Sequence, residues 1–345
     1  MRAALTAIAL AITGGSLAAH ADQADDGARS ARAGTNASTA TNAEQPASSD
    51  ESSRAQEPPL IAYALELLES DSKPQHAAIA DLRAVNFEMS RHPPPAGNDC
   101  AHTLGASRFA DQYAELASIQ FSLGDYEAAI KADESALDCM PRDASFHASI
   151  ASANLSLGRI AEARAAVERG YAIDPDNRSI QDVRARVDFV QERWADATAR
   201  FRLATVSAES RDLVDYHECF FWLAQRRAGV LHPELPPPPA EASAVKKRWP
   251  MPVLGLLEGE LTESALVQAI RDDATGEQRR EWLTEALFYV GELRLAEGDV
   301  ETARRHFASV VNLHVLNFVE FGMARAELAR MRERGEVAGK GTSAE

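Results

Sequence analysis

Lysine is scarce in this 345-residue chain, occurring only at positions 73, 131, 246, 247 and 340. Lysine and arginine together number 36 against 52 acidic side chains, a net charge of −16. A nucleic-acid binder needs a basic footprint, so that function class is excluded. The same deficit disfavours docking on anionic lipid. The apolar run Ala3 to Ile12 falls short of the roughly 18 to 20 residues that a membrane span requires, so no transmembrane segment is expected. From Asp22 to Pro59 there is no Leu, Ile, Val, Met, Phe, Tyr or Trp. A segment of that kind cannot bury enough apolar surface to offset chain ordering, and residues 22–59 are expected to be disordered.

Catalytic signatures are missing too. The sequence holds no nucleophile elbow, phosphate-binding glycine loop, dinucleotide pattern or zinc-ligand spacing. His217-Glu218 opens like a metalloprotease helix motif, but Phe221 stands where the second histidine is needed. Cys100 and His102 form a pair of soft ligands without two further ones. The other histidines are scattered, and a lone histidine is more often a surface or satisfied core residue than a ligand. No catalytic residue, metal or cofactor is expected, and the chain reads as a non-enzyme.

Only three cysteines occur, Cys100, Cys139 and Cys219. An oxidising compartment would permit one bridge and leave one thiol over. Cys100 precedes one expected helix and Cys139 ends the antiparallel helix after it, which makes Cys100–Cys139 the pair to join. Three reduced, semi-buried cysteines are the alternative. Cys219 sits in the apolar run Cys219-Phe220-Phe221-Trp222-Leu223 and belongs to a core.

What is present begins with an address. Arg2 supplies a positive end, Ala3 to Ile12 an apolar stretch, and Ala19-His20-Ala21 a small-x-small cleavage pattern. Residues 1–21 therefore read as a secretory signal peptide, with the mature chain periplasmic or secreted. With 45% apolar and 26% charged residues, the remainder can bury a core. Helical spacing at Leu60, Ala64, Leu67 and Leu68, then Ile79, Leu82 and Val85, predicts an N-terminal helix pair and loop over 60–106.

The chain then repeats itself. Gly124 recurs as Gly158, Ala129 as Ala163 and Pro141 as Pro175, each 34 residues on. That interval is the tetratricopeptide-repeat (TPR) period. Positions where paired helices must approach closely are Ala117, Ala129 and Ala136, then Ala151, Ala163 and Gly170, then Ala185, Ala197 and Ala204. All nine are Ala or Gly, so three repeats are expected over 107–211. Residues 212–332 are expected to hold a helix around Leu213 to Arg227, a stiff proline-rich loop at 232–240, and further TPR-like repeats. Phe321, Ala324, Leu328 and Met331 share one stripe of a last helix that should cap the stack. Residues 333–345 read as a frayed tail. The fold class is all-α: a right-handed TPR superhelix of antiparallel helix pairs with a C-terminal capping helix.

In such an array the first helix of each pair lines a groove. The inward positions here include Asp111, Glu115, Ser118 and Phe121, then Ser149, Ser152 and Leu155, then Asp182, Arg186 and Phe189. Arg186 is the only cation among them, so a clamp for a peptide carboxylate is not expected. A smooth, small-residued groove suits a helix or extended segment of another protein. The competing reading is that individual positions contact neighbouring repeats.

The C-terminal third resembles the NlpI family, TPR adaptor lipoproteins of the bacterial envelope. The resemblance rests on Trp249-Pro250-Met251-Pro252-Val253-Leu254-Gly255-Leu256-Leu257-Glu258-Gly259, on Phe288-Tyr289-Val290-Gly291, on Gly298-Asp299 and on Asn317-Phe318-Val319-Glu320. It implies a homodimeric adaptor that brings a periplasmic processing protease together with peptidoglycan hydrolases. Two features depart from the family: no cysteine follows the N-terminal apolar run, and residues 22–59 are extra. The expected function is a protein-binding envelope scaffold, with a chaperone-like binder of secreted polypeptides as the alternative.

Overall fold

The computed structural model describes residues 57–70, 76–91, 100, 105–207, 211–230 and 249–341. The expected signal peptide, residues 22–56 of the expected disordered segment, and the proline-rich loop at 232–240 lie outside these residues. Among the described residues there are fourteen helices and no strand. The first two are α1 (Pro59–Ser70) and α2 (His76–Arg91). Three hairpins follow: α3 (Ala106–Ser122) with α4 (Tyr126–Cys139), α5 (Ala144–Ser156) with α6 (Ile160–Ile173), and α7 (Arg178–Val190) with α8 (Trp194–Ser207). The helix α9 (Arg211–Arg227) packs on α8 and on the C-terminal unit. That unit comprises α10 (Met251–Leu257), α11 (Glu263–Asp273), and the pair α12 (Gln278–Ala296) and α13 (Val300–Leu313). The last helix is α14 (Val319–Gly341).

The boundaries follow from local chemistry. Asp125 caps α4 by accepting from the Ala128 N–H at 3.1 Å, and Asn177 caps α7 by accepting from Ile180 at 3.1 Å. Asp299 does the same for α13 through Thr302. Gly124 and Gly158 turn the chain within their hairpins at φ 78° and 72°, a region that glycine enters without steric cost.

Of the nine small residues at the 34-residue period, eight are buried, and Ala204 is half-buried. Gly170 shows why the helices need them. A Cβ there would overlap the Ile180 side chain and lie 3.0 Å from the His147 Cβ. Gly291, the matching close approach in α12, would place one 2.8 Å from the Phe307 ring. Helix stacking at that distance fixes the curvature of the array.

The N-terminal helices differ from the expected pair. α2 lies on α3, whereas α1 lies on α11, α12 and α13 at the other end of the chain. Leu60, Ile61, Tyr63 and Ala64 are buried there. The Leu60 N–H donates to Glu263 Oε1 at 3.0 Å, and the Arg271 guanidinium stands 4.3 Å from the centre of the Tyr63 ring. Glu66 pairs with Arg271, and Glu57 with Arg305. The apolar stripe of α1 is thus matched by long-range partners that local periodicity does not reveal. Helix begins at Pro59, and it continues past Arg332 to Gly341, through residues expected to fray.

α14 caps the last pair, packing on α13 and α12. It also reaches α5 and α7, the first helices of the second and third hairpins. Phe321 and Ala324 of its expected stripe are buried, and Leu328 and Met331 are half-buried. Among the described residues, no helix is long and apolar enough to cross a membrane.

Candidate functional site

The ten positions expected to line the groove fall into three groups. Asp111 and Glu115 of α3 are exposed, and Ser118 of α3 and Ser149 of α5 are half-buried. Phe121, Ser152 and Leu155 are buried and line a cleft whose other wall is Phe318, Val319 and Gly322. Asp182 and Arg186 of α7 line a second cleft with His217, Phe201, Phe220, Tyr216 and the segment Asn317 to Glu320. Phe189 belongs to neither. It is fully buried and ringed by Trp194, Phe201 and Phe220, at centroid distances of 5.3, 6.3 and 5.9 Å. It faces the interior between α7, α8 and α9.

The helix lying over this side is the chain's own α14. Gly322 meets Ser156 so closely that a Cβ would stand 2.7 Å from its Oγ. The Tyr126 hydroxyl donates to the Leu316 carbonyl at 2.8 Å just before α14 begins. Leu316 also covers Gly124, and Ala329 covers Gly158. One segment therefore runs along the row of hairpin turns.

The second cleft, about 30 Å³, has room for one or two waters. Its charges are internally matched. Arg186 donates to Asp182 at 2.8 Å, and His217 Nε2 lies 3.2 Å from the other oxygen of that carboxylate. Burial pushes Asp182 upward, but Arg186 and His217 outweigh it and hold the carboxyl below its ordinary range. Burial pushes Glu320 up, and it accepts from the Tyr289 hydroxyl at 3.0 Å. The His217 Nδ1 and the Arg186 Nε are buried without partners. Among the described residues, no group of three or more His, Cys, Asp or Glu side chains could hold a metal ion. The arrangement is a stitched seam between α7, α9 and α14, with no exposed nucleophile or open general base.

A second polar seam lies behind it. Glu192 follows α7 and accepts from Arg330 at 2.5 Å, from Arg227 at 3.3 Å and from Arg334. Arg227 also donates to the fully buried Glu292 at 2.6 Å, and Arg330 to the fully buried Glu327. Burial raises Glu192, yet Arg334, Arg330 and Arg227 pull it below its usual value. Burial, with Glu327 alongside, pushes Glu292 from 4.5 to about 8 against the pull of Arg227 and Arg330. The sign of the resulting pH dependence follows. Between pH 4.5 and 8 the folded chain keeps this proton and the unfolded chain has lost it, so stability falls as pH rises. Glu292→Gln is expected to remove a slope of up to about 1.4 kcal/mol per pH unit. Urea unfolding at pH 5, 6, 7 and 8 measures it; parallel profiles for variant and wild type would refute it.

Cys100 and Cys139 are joined, with Cα atoms 4.7 Å apart, and tie the chain ahead of α3 to the end of α4. Cys219 is buried, and burial pushes its thiol well above the ordinary value, so it is chemically quiet. Composition and spacing had marked the concave positions but carried no signal for Glu192. It stands 34 residues after Gly158, where the repeat would place a third glycine. Residues 120–187, from the end of α3 into α7, match the family described as tetratricopeptide repeat, and the chain holds a TPR region there.

Proposed function

We propose that the chain is a non-enzymatic scaffold of the bacterial envelope that binds other proteins through its TPR face. The observation that supports this reading is the row of stacked antiparallel hairpins from α3 to α8, with the tetratricopeptide-repeat match over residues 120–187. The exposed Asp111 and Glu115 and the half-buried Ser149 are its contact residues in the resting chain, while the Ser118 hydroxyl is buried. The bridge between Cys100 and Cys139 supports an oxidising compartment, in keeping with export. The resemblance to envelope adaptors supports peptidoglycan hydrolases and a processing protease as partners, and a homodimer as the assembly.

The test is crosslinking in cells, followed by affinity purification of the mature chain and mass spectrometry. A folded hydrolase or protease recovered in fixed ratio is the expected result. Asp111→Arg with Glu115→Arg should reduce that recovery at least fivefold, because an acidic rim becomes basic. A heterogeneous set of unfolded clients, unaffected by these substitutions, would replace the scaffold by a chaperone-like binder.

A further inference from the structure

The first hairpin draws on two separate cores. Leu116, Ala117 and Phe121 of α3, with Tyr126, Ala129 and Ala132 of α4, belong to the main core that runs through the molecule. The opposite ends of the same two helices do not. Ala110 and Tyr113 of α3, Ala136 and Cys139 of α4, Phe146 of α5 and Cys100 form a satellite core of their own. Two of its six buried side chains are the bridged cysteines. A cluster of that size buries too little apolar surface to hold helix ends in place unaided. The bond between Cys100 and Cys139, 39 residues apart, supplies the remaining restraint by limiting how far the open state can spread.

The next repeat offers the contrast. Ile173 stands there in the place of Cys139, and Ile180 closes against Gly170 as part of the main core. That junction needs no bond. The satellite end also carries the charge that the scaffold presents. Asp111 and Glu115 are exposed on α3 and flank the buried Tyr113 in sequence. Any loss of order over residues 106–115 therefore displaces that acidic rim.

We propose that the Cys100–Cys139 bond is a redox-set catch on the outer half of the first hairpin. Closed, it orders the acidic rim; opened by a dithiol, it frees residues 106–114 and 135–139 while the rest of the stack stays folded. This rests on the scaffold reading for the role of Asp111 and Glu115, and adds a control to it. In the opening step a thiolate of the dithiol attacks one sulfur of the bridge, and the other cysteine leaves as a thiolate and takes up a proton. The second thiol of the reagent then attacks the mixed disulfide. The bridge thus gains two electrons and two protons, and the dithiol becomes a disulfide. Cys100 and Cys139 are 0% and 2% exposed, so the reagent enters only when the outer half opens. Cys219 sits in the main core and takes no part.

The experiment takes the full mature chain, oxidised, treats it with dithiothreitol under native conditions, and follows amide exchange by mass spectrometry. Reduction should speed exchange at least tenfold in residues 106–114 and 135–139, while α5 to α14 keep their protection. Iodoacetamide should then label two cysteines and spare Cys219, and reoxidation of an unlabelled sample should restore slow exchange. Cys100→Ala with Cys139→Ala should match the reduced chain with no reagent present. A bond that yields to dithiothreitol only when the whole chain is unfolded in urea, or exchange unchanged by reduction, would overturn the catch. Acceleration across all the helices would overturn the separate outer half. These readouts need no partner, so the scaffold reading stands or falls separately, on recovery of partners through Asp111 and Glu115.

Discussion

Asp188→Ala is expected to destabilise the chain by about 3 kcal/mol, the low end for removing one partner of a buried ion pair. Asp188 is fully buried at the junction of three helices. Its carboxylate accepts from Arg200 at 2.7 Å and from Arg164 of the preceding hairpin, and Arg193 lies 3.7 Å away. Alanine would remove the one anion that the three guanidinium groups share, leaving Arg193 to Asp196, Arg164 to Glu168 and Gln191, and Arg200 to Gln181. Their partial access to water, with Arg164 and Arg200 side chains 17% and 22% exposed, is what keeps the loss at the low end. Asp188→Asn keeps the shape and one acceptor and should lose less. A thermal melt should show a drop of roughly 6 to 12 °C for the alanine variant, given 2 to 4 °C per kcal/mol in a chain of this size. A shift under 2 °C would mean that the arginines are held by other contacts.

Asp188 also shows where sequence reading stops. The repeats were legible because their signal is local. Small residues at Ala117, Ala129, Ala151, Ala163 and Gly170 recur at a fixed interval, and the helix packing at those positions is the reason. The seat of α14 was not legible. Its stripe of Phe321, Ala324, Leu328 and Met331 says that one face is covered but not by what: α12 and α13 are near in sequence, but α5 and α7, which it also covers, lie more than a hundred positions away. α1 has the same character, since its partners Glu263 and Arg271 lie some two hundred residues downstream. Phe189 was placed on the concave side by its register in α7. The third hairpin has α9 packed across it, so the side chain that faces outward in an open array is enclosed by Phe201 and Phe220. Glu192 carries no motif of its own in the sequence. Its meaning lies in the glycine that it replaces and in arginines that sequence distance conceals.

Phe220 joins the two halves of the molecule, and Phe220→Ala should therefore do more than lower stability. The ring is stacked on Phe201 of α8, with centroids 5.0 Å apart and planes 13° apart. On its other sides it meets Phe189 of α7, Tyr289 at 5.4 Å and Phe288 at 5.9 Å, both of α12. Four helices thus meet at one side chain. Truncation should cost about 3 to 5 kcal/mol, the usual range for a buried phenylalanine cut back to alanine. In a stacked array, cooperativity is carried by the interfaces between neighbours, so loss of the shared ring should also uncouple the hairpins from the C-terminal pair. With Trp194 and Trp222 replaced by phenylalanine in both chains compared, Trp249 and Trp282, stacked 4.7 Å apart in the C-terminal unit, report on that half, while far-ultraviolet circular dichroism reports on all the helices. In urea the two signals should coincide for the wild type and separate for Phe220→Ala, with an intermediate that keeps one half folded. A single coincident transition with less than about 1.5 kcal/mol lost would show that α9 is held by other contacts and that the two halves fold as one through α14 instead.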